Sequence, residues 1–481
     1  MSTVPDHVRD APTWSGMLRW WRGSAAPAIV TTTTMVSGDE LLASAAGAAQ
    51  HLRELTELPV PVPALVSSSA AAIAYVIGGA DCGRPLAPLG PRLTAHELGP
   101  CIDALGSDVL LVEPEFAAVA ADLAATRSTR VVHLASSAGR STDLDLDKGV
   151  DDIAFVLHTS GTTGAPKAVP YRQGQLAERT RVNTALCGFE PGCTYATASP
   201  FHHIAGFGNH AVALAAGAAI APVPRFTVDA WRSLVALHVT HALTVPTMLE
   251  VLLEADALPL PALRTLQYGG SPIHPDTLRR TLRALPTVSL VNIYGQTEGS
   301  PITCLTSADH RRIADDGRVD LLESVGQAAH GVEVRIERPD ADGVGEVVAR
   351  AAHLFLTDSD GWLRTGDLGR IDDAGYVFLV GRRGDKIIRG GENIYPIEVE
   401  RVLEQHPQVA EAAVVGVPDQ RWGEIVRAVV VPVDPDDPPA PEALQVHARA
   451  HLAGFKVPSD WVLTASLPRN AAGKLLRRSL N

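Results

Sequence analysis

The run His158-Thr159-Ser160-Gly161-Thr162-Thr163-Gly164-Ala165-Pro166-Lys167 sets four hydroxyls, two glycines and a lysine within ten residues. That is poor material for a core and good material for an anion cradle. Gly161 and Gly164 accept backbone torsions that other residues resist, so main-chain N–H groups can converge on one concavity. The hydroxyls donate without being desolvated as ions, and Lys167 adds positive charge. A polyphosphate is the natural guest. Ser/Thr/Gly runs are also common as plain surface loops. The spacing fails the P-loop pattern, which requires Gly-Lys-Ser/Thr after the first glycine and four further residues. The run therefore stands for another kind of nucleotide loop.

The elements that must position it can be read around it. An apolar strand-like run, residues 153–157, leads into the loop. Upstream, Ala-rich helical stretches around residues 40–52 and 115–125 alternate with short apolar runs at 109–112 and 131–134, which suit buried parallel strands. Such alternation argues for doubly wound α/β layers. Residues 326–380 alternate apolar and polar types with frequent Gly and Asp, the period of a small antiparallel sheet or barrel. At 481 residues the chain should form more than one domain.

Composition removes several function classes. A net charge of −13 argues against nucleic acid or an anionic membrane as the main partner. The five cysteines are scattered, with no C-x-x-C pair to suggest zinc, which fits a reducing compartment. The N-terminus lacks the basic start and apolar core of a signal peptide. The most apolar stretches, 70–77 and 211–223, are too short or interrupted to span a bilayer. A cytoplasmic protein is expected.

The loop resembles the phosphate loop of the adenylate-forming superfamily: acyl- and aryl-CoA ligases, adenylation domains and firefly luciferase. Other stretches resemble that superfamily's motifs in their usual order. These are Ser199-Pro200-Phe201-His202-His203-Ile204-Ala205-Gly206-Phe207-Gly208, Tyr268-Gly269-Gly270-Ser271-Pro272, Asn292-Ile293-Tyr294-Gly295-Gln296-Thr297-Glu298-Gly299, Trp362-Leu363-Arg364-Thr365-Gly366-Asp367-Leu368, the segment 381–396, and Pro468-Arg469-Asn470-Ala471-Ala472-Gly473-Lys474. The resemblance covers residues 84–481; the region before it looks shortened.

The resemblance implies an N-terminal adenylation domain, residues 1–383, of doubly wound α/β layers with a small β-barrel-like subdomain. A small mobile α+β domain, residues 384–481, would follow, with Gly384 as hinge. ATP or AMP would be held by Thr159, Ser160, Gly161, Thr162, Thr163, Gly164 and Lys167. Gly270, Ser271, Asn292, Tyr294 (a flat face for adenine), Gly295 and Thr297 would complete that site, with Asp367 and Arg382 on the ribose. Glu298 is a hard oxygen ligand suited to Mg²⁺. Lys474 matches the lysine that reaches the carboxylate and the α-phosphate.

Two histidines in an apolar turn, taken bare, are more often packed than catalytic; the resemblance implies that His203 is a pocket-wall or gating residue. The implied acid pocket is His203, Phe207, Val245, Gly269, Gly270, Gln296 and Ile302, apolar and without the aspartate that amino-acid-activating relatives carry. The implied CoA contacts are Arg389, Gly390, Gly391, Trp422 and Phe455. Ser459-Asp460 departs from the basic residue often found there, and an acid would repel the CoA phosphates; Arg421 is then a further candidate. The expected protein is an ATP-dependent acid–CoA ligase, monomeric or homodimeric, acting on a non-amino aryl, alicyclic, polycyclic or medium acyl acid. The alternatives are an enzyme that loads a separate phosphopantetheinyl carrier protein and an inactive nucleotide- or acid-binding relative.

Overall fold

A computed structural model describes residues 4–127, 129–134, 144–160, 166–390, 392–469 and 475–480. The chain packs into two compact units: Met1–Glu333 with Arg350–Leu363, and Val334–Ala349 with Arg364–Asn481. The boundary expected between residues 383 and 384 concerns motion and is taken up below as a proposal.

The first unit holds two sheets. Among the described residues, one has nine strands in the order Gln327–Ala328, Gly299–Leu305, Ser289–Gln296, Thr265–Gly269, His241–Thr244, Thr194–Thr197, Ala219–Pro222, Pro27–Val30, Met35–Ser37. Its middle is parallel and its edges are antiparallel. The other runs Arg130–His133, Val109–Val112, Val62–Leu65, Leu86–Pro88, Ile153–Ser160, Pro166–Arg172. It is parallel up to its last pair. Runs without polar alternation suit strands covered on both faces, and all four residues of Val109–Val112 are buried. The helices are set by their caps. Ser37 with Glu40 opens Gly38–Leu55, and Thr94 with Glu97 opens Ala95–Leu105, each as a capping box. The helix expected at 115–125 begins at Ala117, after a short turn opened by Pro114.

Two expectations take definite form. The strand that leads into the nucleotide loop continues to Ser160 and pairs antiparallel with Pro166–Arg172. The alternating stretch expected as a sheet or barrel-like subdomain forms a four-stranded sheet, Glu333–Glu337, Gly345–Arg350, Leu363–Ile371, Val377–Arg382. Its strands fall mainly in the second unit. There a further sheet, Glu392–Ile394, Ile387–Arg389, Gly423–Pro432, Val409–Asp419, with Asp460–Leu463 parallel to Gly423–Pro432, packs against Pro396–Leu403 and Pro441–His451. No helix among the described residues is long and apolar enough to cross a membrane.

In the second unit, burial and the nearby Glu400 and Glu411 push the Glu404 carboxyl up to about 7, against an ordinary 4.5. A raised carboxyl favours folding below its unfolded value and loses that contribution as pH rises through the folded one. Glu404→Gln should therefore raise Tm at pH 8 and leave it nearly unchanged at pH 5 in parallel thermal melts.

Candidate active site

The hairpin Ile153–Ser160/Pro166–Arg172 puts Thr159 directly opposite Lys167, and Lys167 is exposed. Residues 161–165, with Gly161, Thr162, Thr163 and Gly164, lie outside the described residues, as do Gly391 and Lys474.

Asn292, Tyr294, Gly295 and Gln296 sit on Ser289–Gln296, and Thr297 and Glu298 form the turn into Gly299–Leu305. That turn is held by its backbone. The Tyr171 hydroxyl donates to the Thr297 carbonyl, and the Phe355 N–H donates to the Glu298 carbonyl at 2.7 Å. Among the described residues the Glu298 carboxylate has no ion-pair or hydrogen-bond partner, and it is only partly buried. A carboxylate left open on a fixed turn fits Mg²⁺, which takes one or two protein carboxylates beside phosphate and water oxygens. Asn292 is buried; its Nδ2 donates to the Tyr268 carbonyl at 3.3 Å, and its Oδ1 has no partner among the described residues.

Gly269 closes the neighbouring strand. A Cβ there would lie 2.3 Å from the Ile293 carbonyl oxygen, so the two strand ends approach as only glycine allows. Gly270 follows with φ +86°, and Val245 flanks it, 3.8 Å from where a Cβ would stand. Glycine is thus required twice in succession, for two different reasons. Val245 caps Pro246–Glu254, where Pro246 fits the first turn.

His202 and His203 form a tilted ring pair at 4.2 Å, ahead of the short turn Ile204–Gly208. Burial lowers His202 to about 3 and His203 to about 4, so both rings are neutral at working pH. Phe207 and Ile302, expected in the acid pocket, are 1% and 0% exposed. Phe207 packs on Phe155 and Phe201 as part of the core. They back the wall.

The second unit carries the other candidates. Asp367 and Arg382 are direct partners in an antiparallel ladder, with Arg382 Nε 2.9 Å from Asp367 Oδ1. Gly384 stands in open space with no left-handed torsion, so the backbone there would admit a side chain. Gly390, at φ +60°, donates its N–H to the Trp422 carbonyl at 2.7 Å, and a Cβ there would meet the Trp422 ring at 2.9 Å. Arg421 and Arg389 lie 5.0 and 5.8 Å from that ring, and Trp422 is 42% exposed. Arg389 donates to the carbonyls of Phe455 and Val457, so it ties Phe455 to this cluster. Asp460, the acid expected to repel CoA, is paired: Arg427 Nε stands 2.7 Å from its Oδ2.

Sequence reasoning missed the residues behind the site. Tyr171 is fully buried in an aromatic group with Phe155 and Phe355. Arg179 is buried and donates to the carbonyls of Ser300 and Gly208 and to Asn209. It therefore couples the strand after the Glu298 turn to the histidine turn. The available signal was its place on the Leu176–Asn183 stripe of the helix Gln173–Cys187, among buried positions.

Residues 20–357 match the family model described as AMP-binding enzyme, and residues 398–474 match the AMP-binding enzyme C-terminal domain. A fatty acid–[acyl-carrier-protein] ligase of Streptomyces coeruleorubidus is 36% identical over 452 residues, covering 84% of this chain and 83% of that one. A feruloyl-CoA synthase of Amycolatopsis sp is 34% identical over 422 residues, covering 82% and 83%. The structure of o-succinylbenzoate CoA synthetase from Bacillus subtilis with its acyl-adenylate intermediate superposes with a TM-score of 0.86 at 28% identity, over 98% of each chain. The chain belongs to the AMP-binding, adenylate-forming enzyme family.

Two outcomes follow. Tyr171→Phe removes one buried hydrogen bond, worth about 1 kcal/mol; acid-dependent ATP–pyrophosphate exchange should fall several-fold while the melting profile barely moves. His203→Phe should change KM for the acid and leave the shape of the kcat–pH profile between pH 6 and 9 unaltered, because the ring does not titrate there.

Proposed function

We propose that the protein is an ATP-dependent acid–CoA ligase acting on a non-amino, largely apolar carboxylic acid. A carboxylate is a poor acyl donor because its leaving group would be oxide. One carboxylate oxygen attacks the α-phosphorus of ATP, a C–O–P anhydride forms, and the bond to pyrophosphate breaks. A thiolate then attacks the acyl carbon, the C–S bond forms, and AMP leaves. Two anions meet in the first step, so fixed positive charge and oriented donors matter more than acid–base groups.

In this reading the 159–167 hairpin and Lys167 hold the phosphates, and Thr297 contacts the α-phosphate. Asn292 Oδ1 accepts from the nucleobase amino group, with Tyr294 stacked on the base, and Asp367 with Arg382 holds the ribose. Glu298 would hold Mg²⁺, which supplies positive charge to the triphosphate. Lys474 draws the carboxylate to the α-phosphate. His203, Val245, Gly269, Gly270 and Gln296 surround the acid. Residues 384–481 rotate about Gly384 between steps, withdrawing Lys474 and presenting Gly390 and Gly391 to the pantetheine.

The observation that supports CoA as acceptor is the cluster of Gly390, Arg389, Arg421, Trp422 and Phe455, with Asp460 paired to Arg427. It offers an exposed aromatic face flanked by guanidinium groups, which suits a nucleotide and its phosphates. A carrier protein would present the same pantetheine thiol, and likeness to a carrier-protein ligase favours that second reading; it has no use for the Trp422–Arg421 face.

The test is AMP formation from ATP over a panel of aryl, alicyclic and fatty acids, with and without CoA. An acyl-CoA product is expected; pyrophosphate exchange without acyl-CoA would point to the carrier protein. Trp422→Ala should raise KM for CoA about tenfold, the loss of roughly 1.4 kcal/mol of stacking, and leave pyrophosphate exchange unchanged. Lys474→Ala should depress adenylation far more than thioester formation from supplied acyl-adenylate.

A further inference from the structure

We propose that Arg477 is a positioning residue for adenylation: it ties the end of the chain that bears Lys474 to the segment that follows Gly384. This rests on the reading above, in which Lys474 acts in the first step and Gly384 is the hinge. Arg477 stands three residues beyond Lys474 in the sequence, and Asp385 directly follows Gly384.

One guanidinium joins four elements of the second unit. Arg477 takes the Glu400 carboxylate in a two-pronged pair, Nη1 on Oε1 and Nη2 on Oε2, the latter at 2.8 Å. Its Nη1 also donates to the Val414 carbonyl at 2.8 Å, and its Nε lies 3.5 Å from Asp385 Oδ2. Glu400 sits on the helix Pro396–Leu403, its side chain is 8% exposed, and its Oε1 accepts from the Val414 N–H at 2.7 Å. Carboxylate, carbonyl and guanidinium therefore close one ring of bonds between the helix, the strand Val409–Asp419 and the chain end. A planar fork held this way fixes direction as well as distance, which an ammonium cannot do.

The rest of the tail is fastened to match. Leu475 and Leu480 pack against Ala413, Val429 and Leu467. Arg469 and Leu475 form an antiparallel bridge, the Leu476 N–H donates to the Pro468 carbonyl at 2.8 Å, and Arg469 Nη2 meets Glu411 Oε2 at 3.1 Å. Residues 469 and 475 are thus fixed side by side, and Leu475 directly follows Lys474 in the sequence. A buried ion pair adds little net stability over apolar packing of the same volume. What the Arg477 fork adds is geometry: the residue after the hinge and the residues after the lysine answer to one group, so they move as one body.

The experiment measures two half-reactions in the full-length enzyme with an acid it accepts: acid-dependent ATP–pyrophosphate exchange, and thioester formation from supplied acyl-adenylate and CoA. Misplacing a reacting group by about 1 Å costs on the order of a hundredfold, so Arg477→Ala should cut exchange by roughly 30-fold or more and leave the thioester step within about threefold. Arg477→Lys should recover only part of the exchange, and Asp385→Asn should lower it several-fold at unchanged Tm. Equal loss in both half-reactions, or exchange in Arg477→Ala close to the parent enzyme, would overturn the proposal. If Arg477→Ala leaves Glu400 unpaired and does not fold, the other two variants decide alone, and normal exchange in both overturns it. Lys474→Ala, run beside them, separates the readings: intact exchange there would condemn the role given to Lys474, whatever Arg477 does.

Discussion

Two anions have to be brought into contact in this protein, and water screens that repulsion better than a closed site does. The donors must therefore be fixed before the ligands arrive. The chain as a whole carries a charge of −13, so it offers no general attraction and the compensation must be local. The structure meets this by holding the functional turns from behind. Thr297 and Glu298 are fastened through their carbonyls, by the Tyr171 hydroxyl and the Phe355 N–H, and not through their side chains among the described residues. Arg179 does the same for Ser300 and Gly208.

That arrangement explains why buried polar and aromatic residues surround the site. Tyr171 can reach Thr297 because it stands in a stack with Phe155 and Phe355, and Phe155 in turn meets Phe207. Shifting one ring would move both the Glu298 turn and the histidine turn. The histidines belong to the same logic. His202 and His203 are kept neutral by burial, so they add no charge to this part of the structure.

The second unit manages its charges by pairing. Arg427 answers Asp460, Lys456 answers Glu398 and Arg477 answers Glu400. The pairing of Asp460 offsets the charge that its residue type alone implied, since a carboxylate beside a guanidinium presents little net field. Arg389 shows the complementary case. One of its nitrogens donates to the carbonyls of Phe455 and Val457, and its guanidinium carbon lies 5.8 Å from the Trp422 ring, so the fold fixes this charge beside the aromatic face.

Spacing and residue type were enough to mark the α/β layering and to single out the nucleotide loop as a candidate, while the resemblance named the Asn292–Gly299 turn, Asp367 and Arg382 as further candidates. Each depends on local properties: glycine torsions, hydroxyl and carboxylate chemistry, and apolar runs bounded by turns. The neighbouring-strand register that sets Asp367 against Arg382, and Gly269 against Ile293, was not legible, because strand pairing joins segments the sequence keeps apart. The same holds for Tyr171, Arg179 and Arg477. Read in sequence they are a strand tyrosine, a helix arginine and a tail arginine. Their roles arise from long-range hydrogen bonds to carbonyls and carboxylates that no local pattern encodes. The sequence by itself determined which groups could do the chemistry; only the tertiary structure decided which residues hold those groups still, because buried polar atoms must find partners wherever the fold delivers them.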